Sequence, residues 1–163
     1  MAGNETPLKF FNVDAQLLGM DVSWLYRLTE DIELSGVVNY VEGERRDIND
    51  HLYRIAPLNM NLTLSILSSD WQLNTTLVAA AEQDKVSVTN REQQTAGYGI
   101  INLDLNYYAN NQVTLRAGVD NLLDKEYSSH LGGYNRVKGS EVPLMERVPS
   151  SGLSAWAEVS YSF

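Results

Sequence analysis

The side chains best suited to ligand chemistry are two histidines and a scatter of arginines. His130, Tyr134, Asn135 and Arg136 stand close together in one polar stretch. An imidazole, a phenol, an amide and a guanidinium there could contact a ligand, a bare metal or haem; the alternative is solvated loop residues. His51 lies in a second such stretch. Arg45, Arg46, Arg91, Arg136, Lys138 and Arg147 could attract an anionic ligand, bind phosphates or pair with neighbouring carboxylates. Glu42, Glu44, Asp47 and Asp50 crowd Arg45 and Arg46, so local pairing is the simpler reading there. No nucleophile elbow, zinc-protease helix, phosphate-cradling loop or dinucleotide fingerprint occurs. No enzyme activity, cofactor or metal centre is therefore expected. Gly132 and Gly133 read as backbone freedom in a loop.

Composition narrows the field. The chain of 163 residues has no cysteine, which removes disulfides and thiolate metal sites. A net charge of −9 argues against nucleic acid as a partner. No run approaches the roughly 18 apolar residues of a membrane-spanning helix. Alternation, however, averages hydropathy toward zero, so a transmembrane barrel would escape that test.

Alternation is what the chain shows. In GMDVSWLY, Met20, Val22, Trp24 and Tyr26 are apolar opposite Gly19, Asp21 and Ser23. The same period-two pattern runs through IELSGVVNY, LNMNLTLSI, WQLNTTLVAAA, INLDLNYY, QVTLRAGVD and the closing SAWAEVSYSF. The spacing predicts seven strands, each close to the roughly 9–11 residues that a tilted strand needs to cross a bilayer. Helical spacing is sustained nowhere, so the chain is expected to be all-β.

The connections alternate too. LTED, SSD and ANN are tight turns rich in Asn, Asp and Ser, whereas the other three connections are long. One edge of the sheet should carry turns and the other loops, an asymmetry of outer-membrane barrels with short periplasmic turns and long extracellular loops. Trp24, Tyr26, Trp71, Tyr107, Tyr161 and Phe163 all have the apolar parity and sit at turn-side strand ends, as an interfacial girdle would. Tyr40 alone is an apolar-face aromatic at the loop end. On the other face, Asn59, Asn61, Asn74, Asn102, Asp104, Asn106 and Arg116 are too polar for a dry core and suit a wide, wet lumen or a polar plug.

The stretch VDNLLDKEY follows the sixth predicted strand, with Asn121, Leu122, Asp124, Lys125 and Tyr127 in the spacing Asn-Leu-x-Asp-Lys-x-Tyr. It resembles the Asn-Leu-Phe-Asp-Lys-x-Tyr motif near the C-terminus of TonB-dependent outer-membrane receptors, with Leu123 replacing the Phe. NVDAQLLGMDVSW resembles an earlier family strand, with Gly19 and Asp21 matching. The final aromatic, Phe163, matches the residue that the barrel-assembly machinery recognises. The resemblance runs from about residue 12 to the end.

That resemblance implies an antiparallel transmembrane β-barrel segment of about seven strands, a curved open sheet forming a partial barrel. Residues 1–11 are expected to be poorly ordered or a partial strand, and 12–163 the barrel segment. Family barrels have 22 strands around an N-terminal plug; plug, TonB-coupling segment and signal peptide are not expected in this chain, which reads as a portion of a receptor. The implied function is uptake of a metal chelate, an iron-siderophore first, in the outer membrane of a Gram-negative bacterium. The implied partners are that ligand, the TonB complex acting through the missing plug, outer-membrane lipid, lipopolysaccharide and the barrel-assembly machinery. Two alternatives stand beside it: a self-standing small barrel closed by an eighth strand from residues 8–13, and an outer-membrane enzyme.

Overall fold

A computed structural model describes residues 12–163. They form a single antiparallel sheet, and all assigned elements are strands: β1 (Ala15–Arg27), β2 (Ile32–Arg45), β3 (Asp50–His51), β4 (Asn59–Leu67), β5 (Trp71–Ala80), β6 (Tyr98–Tyr108), β7 (Val113–Asp120) and β8 (Ser154–Tyr161). The order is β1-β2-β4-β5-β6-β7-β8, with β3 paired to the loop end of β2. The seven long strands follow the alternation in the sequence. β3 is additional: two residues folded back on Glu44 and Arg45, too short to leave a periodic signal. The segment 8–13 proposed as an extra strand lies, for residues 8–11, outside the described residues; residues 12 and 13 are not in a strand.

Local chemistry explains the hairpins. Arg27 and Glu33 flank the first turn as a cross-strand ion pair at 2.6 Å, and the Thr29 hydroxyl accepts the Asp31 amide at 3.2 Å. In the third turn the Asn110 carboxamide oxygen accepts the amides of Gln112 and Val113 at 2.9 and 3.0 Å. Short polar side chains that bond their own backbone in this way favour a tight reversal over a continued strand.

Register keeps the two faces separate across the whole sheet. One row of partners runs Tyr26, Leu34, Leu64, Thr75, Leu103, Val119, Ala155. The adjacent row runs Arg27, Glu33, Ser65, Asn74, Asp104, Gly118, Trp156. A slip of one residue anywhere would exchange the two faces, so the apolar pattern fixes the pairing.

The turn edge runs obliquely to these rows. Tyr26 is next to the last residue of β1, while Leu103, in the same row, has five more residues of β6 ahead of it. The offset, roughly one residue per strand, matches the stagger of barrel strands tilted by about 35–45°.

A single sheet has no sandwiched core. Ile100 is the one buried hydrophobic among the described residues, while Asp50, Gln83, Ser87, Glu92, Asn121, His130 and Asn135 are buried and polar. Leu17, Leu18, Met20, Tyr26, Val159 and Tyr161 are exposed. Burial is therefore concentrated at the loop edge, where the long connections fold over the ends of the strands.

Candidate functional site at the loop edge

Three connections meet there: residues 46–58 between β2 and β4, 81–97 between β5 and β6, and 121–153 between β7 and β8. The last begins at the motif recognised in the sequence. Asn121, with φ of 51°, turns the chain out of β7, a left-handed conformation that Asn tolerates better than other non-glycine residues. Its amide donates to the Asn102 side chain at 2.9 Å. Its side chain donates to the carbonyls of Lys125 at 2.9 Å and Ser151 at 3.3 Å, and accepts the Lys125 amide at 2.9 Å. Asp124 accepts the Leu153 amide at 2.8 Å, so the motif ties the exit of β7 to the entry of β8. A side chain on Gly152 would stand 2.6 Å from the Asp124 carboxylate, which is why that approach needs glycine. Tyr127 packs its ring 4.3 Å from that of Tyr98.

Asp50 anchors the first loop to the second. Its carboxylate accepts the amides of Val88 (2.8 Å), Thr89 (3.0 Å) and His51 (2.9 Å) and the Ser87 hydroxyl (3.2 Å). Hydrogen bonds from the Thr89 side chain and amide, then from Val88 and His51, hold this carboxyl far below the usual carboxylate range.

Glu92 and His130 join all three loops. The Glu92 carboxylate accepts the Arg54 amide at 2.9 Å and the Ser87 amide at 3.0 Å, and meets His130 Nε2 at 3.2 Å. Both side chains are about 1% exposed. His130 Nδ1 lies 2.9 Å from the Thr95 hydroxyl and 3.5 Å from an Arg147 terminal nitrogen. Arg147 also donates to the carbonyls of His130 and of Gln93 (3.2 Å), and its guanidinium sits 4.7 Å above the Tyr134 ring. The Arg54 guanidinium bonds the Leu131 carbonyl.

The four residues singled out in the sequence thus have different positions. His130 is sealed inside the loops. Asn135 is buried and bonds the loop around itself, donating to the carbonyls of Val137 (2.9 Å) and Val142 (2.6 Å). Tyr134 is half-buried beneath Arg147, and Arg136 is exposed. Among the cations, Arg45 pairs with Asp47, Arg46 reaches Gln16 at 2.7 Å, and Lys85 pairs with Glu42. His51 has a buried Nδ1 without a hydrogen-bond partner. Sequence reasoning missed Glu92, Thr95 and Arg54, whose neighbours carry no pattern and which meet His130, Leu131 or one another from different loops.

Beneath this cover the polar face holds a recess of about 310 Å³, with Asn59 and Asn61 on its floor and His130 and Leu131 above. Further along the same face Arg116 and Glu158 are 3.8 Å apart and half exposed. Trp156 has the same orientation, seated over Gly118. The aromatics Trp24, Tyr26, Trp71, Tyr107 and Tyr161 lie on the opposite parity, with Trp71 and Tyr107 directly paired. Phe163 is fully exposed past the end of β8, its ring 5.9 Å from that of Tyr161.

An open curved sheet with tight turns on one edge and packed loops on the other has the architecture of part of a large barrel. Comparison with solved structures specifies which barrel: the chain has the fold of part of a TonB-dependent receptor barrel. The copper transporter OprC superimposes with a TM-score of 0.87 at 30% identity, over 93% of this chain and 24% of that one. The ferric enterobactin receptor PfeA of Pseudomonas aeruginosa gives 0.68 at 22% identity, over 89% and 22%. The ferric yersiniabactin uptake receptor FyuA of Yersinia pestis gives 0.62 at 11%, over 91% and 24%. The chain spans about a quarter of the length of these proteins. No family model and no curated protein sequence matches it.

Proposed function

We propose that this chain forms the C-terminal wall and outer loops of a TonB-dependent receptor that takes up a metal chelate across the outer membrane of a Gram-negative bacterium. The observation that carries the reading is the superposition of 93% of the chain on a metal-transport receptor at a TM-score of 0.87. The apolar face would meet lipid, with Trp24, Tyr26, Trp71, Tyr107, Tyr161 and Phe163 at the periplasmic interface. Phe163 would serve as the barrel-assembly signal. The polar face would line the lumen against a plug that the TonB complex moves. Basic loop residues would meet lipopolysaccharide or an anionic chelate, with Arg136 and Tyr134 the better placed of the four candidates.

An iron-siderophore is the first cargo, supported by the sequence resemblance and by two neighbours that are ferric-siderophore receptors. Copper is a second reading, supported by the higher identity to a copper transporter. The test is uptake of radiolabelled ferric siderophores and of copper by cells with and without the full gene. Loss of ferric uptake supports the first cargo, and loss of copper uptake the second. Unchanged uptake of both, with the protein present in the outer membrane, overturns the metal assignment.

A further inference from the structure

We propose that the contact between His130 and Glu92 is an acid-operated latch, in which neutral His130 holds the three long loops together, with residues 129–131 of the third over the recess on the polar face, and its protonation releases them. The inference concerns the loops themselves and holds whatever cargo the barrel carries.

The surroundings favour the neutral ring. Arg147 has only donors to offer, so its terminal nitrogen, 3.5 Å from His130 Nδ1, favours an unprotonated Nδ1, which can accept the Thr95 hydroxyl at 2.9 Å. Nε2 then carries the hydrogen and donates it to Glu92 at 3.2 Å. A second proton would go on Nδ1, where the Thr95 hydroxyl can turn to accept it, but it would set a cation and a donor against the Arg147 guanidinium in a site closed to water. Glu92 would attract that charge, but its two oxygens already hold the amides of Arg54 and Ser87. The Arg54 guanidinium, bonded to the Leu131 carbonyl, adds another positive charge from the first loop. Asp50, the other buried acid of the cluster, spends its carboxylate on residues 87–89 and on His51.

Burial and then Arg147 lower the His130 pKa against the opposing pull of Glu92. The sign follows. The released imidazole, in water, binds a proton near pH 6.5, more readily than the latched one. The latch is therefore complete above about pH 6.5 and weakens as the pH falls below it. What opens is specific: His130 and Leu131 roof the recess floored by Asn59 and Asn61, so losing the clamp lifts the roof from that part of the polar face.

Hydrogen–deuterium exchange on the full-length receptor in detergent tests this, at pH 7.5 and 5.5 with labelling times scaled for intrinsic exchange. The reporters are the Arg54 and Ser87 amides, both bonded to Glu92. Their protection is expected to fall at pH 5.5, by up to roughly tenfold, the most that one unit of pH below the free value supplies to a single linked proton. In His130→Gln, which can still donate to Glu92 but cannot titrate, protection is expected to be the same at both values. Equal protection of the wild type at both pH values overturns the latch, as does a pH response that survives in His130→Gln. Should that variant fail to assemble, the wild-type pH series decides. A loss of protection that sets in as the pH falls below about 6.5 supports the latch, and its absence between pH 7.5 and 5 overturns it.

Discussion

The Trp156 ring occupies the space in which a side chain on Gly118 would stand: a Cβ added there would lie 2.5 Å from the indole. The two residues are direct partners across β7 and β8, on the polar face. The opposite face has the same arrangement, with the Trp24 ring over its partner Gly36 and an added Cβ only 2.2 Å away. Each glycine lacks a side chain to pack, and the neighbouring indole covers the gap.

Filling either seat should therefore dislodge a tryptophan. Gly118→Val and Gly36→Val are each expected to cost about 1–3 kcal/mol through forced displacement of the ring. Denaturant unfolding of the full-length protein in detergent checks this, with indole emission as the probe. Unchanged emission and midpoint would show that the rings do not need the glycines.

Asn121 should be the most sensitive position of the motif. Asn121→Ala removes the acceptor of the Lys125 amide and the donor to the Lys125 and Ser151 carbonyls, and leaves alanine in a left-handed conformation. A loss of roughly 2–4 kcal/mol is expected from the unpaired groups and the backbone penalty together. Thermal unfolding of the assembled protein measures it. Lys125→Ala, whose bonds here come from its backbone, should change the midpoint little.

Asp50 gives a pH prediction of the same sign as that of His130, but in a much more acidic range. Its folded-state pKa is depressed by the Thr89 hydrogen bonds first, so its contribution is present above the ordinary aspartate value and is lost only as the pH falls through the much lower folded value. The Val88 and Thr89 amides should stay protected wherever the two loops remain joined, with no loss from Asp50 itself between pH 8 and about 4. In Asp50→Asn, protection of both amides should fall at every pH. A fall confined to acid would contradict this assignment.

These sites differ in how far the sequence revealed them. The seven long strands were legible because facing surfaces of different polarity impose a period of two, and tight turns use a narrow set of residues. β1 and β2 extend beyond the alternating stretches, from Ala15 and to Arg45, because backbone pairing continues where no face selects the side chains. The loop cluster was not legible. Glu92 and His130 are 38 residues apart, and nothing local to either announces the other. His130 stood out as a chemical group, but its burial depends on Arg147 and Arg54 arriving from elsewhere. Asn135 drew notice as a polar residue beside it, whereas its amide closes the loop on itself.

Tryptophan placement gives the most direct test of the membrane account. Trp24 and Trp71 lie on the apolar parity and Trp156 on the polar one. Three variants of the full-length receptor, each retaining one of these residues as its only tryptophan, would be reconstituted into bilayers containing brominated lipid. Strong quenching of Trp24 and Trp71 by the brominated chains is expected, with little quenching of Trp156. Quenching of Trp156 as strong as that of the other two, or none of Trp24 and Trp71, would contradict the membrane account.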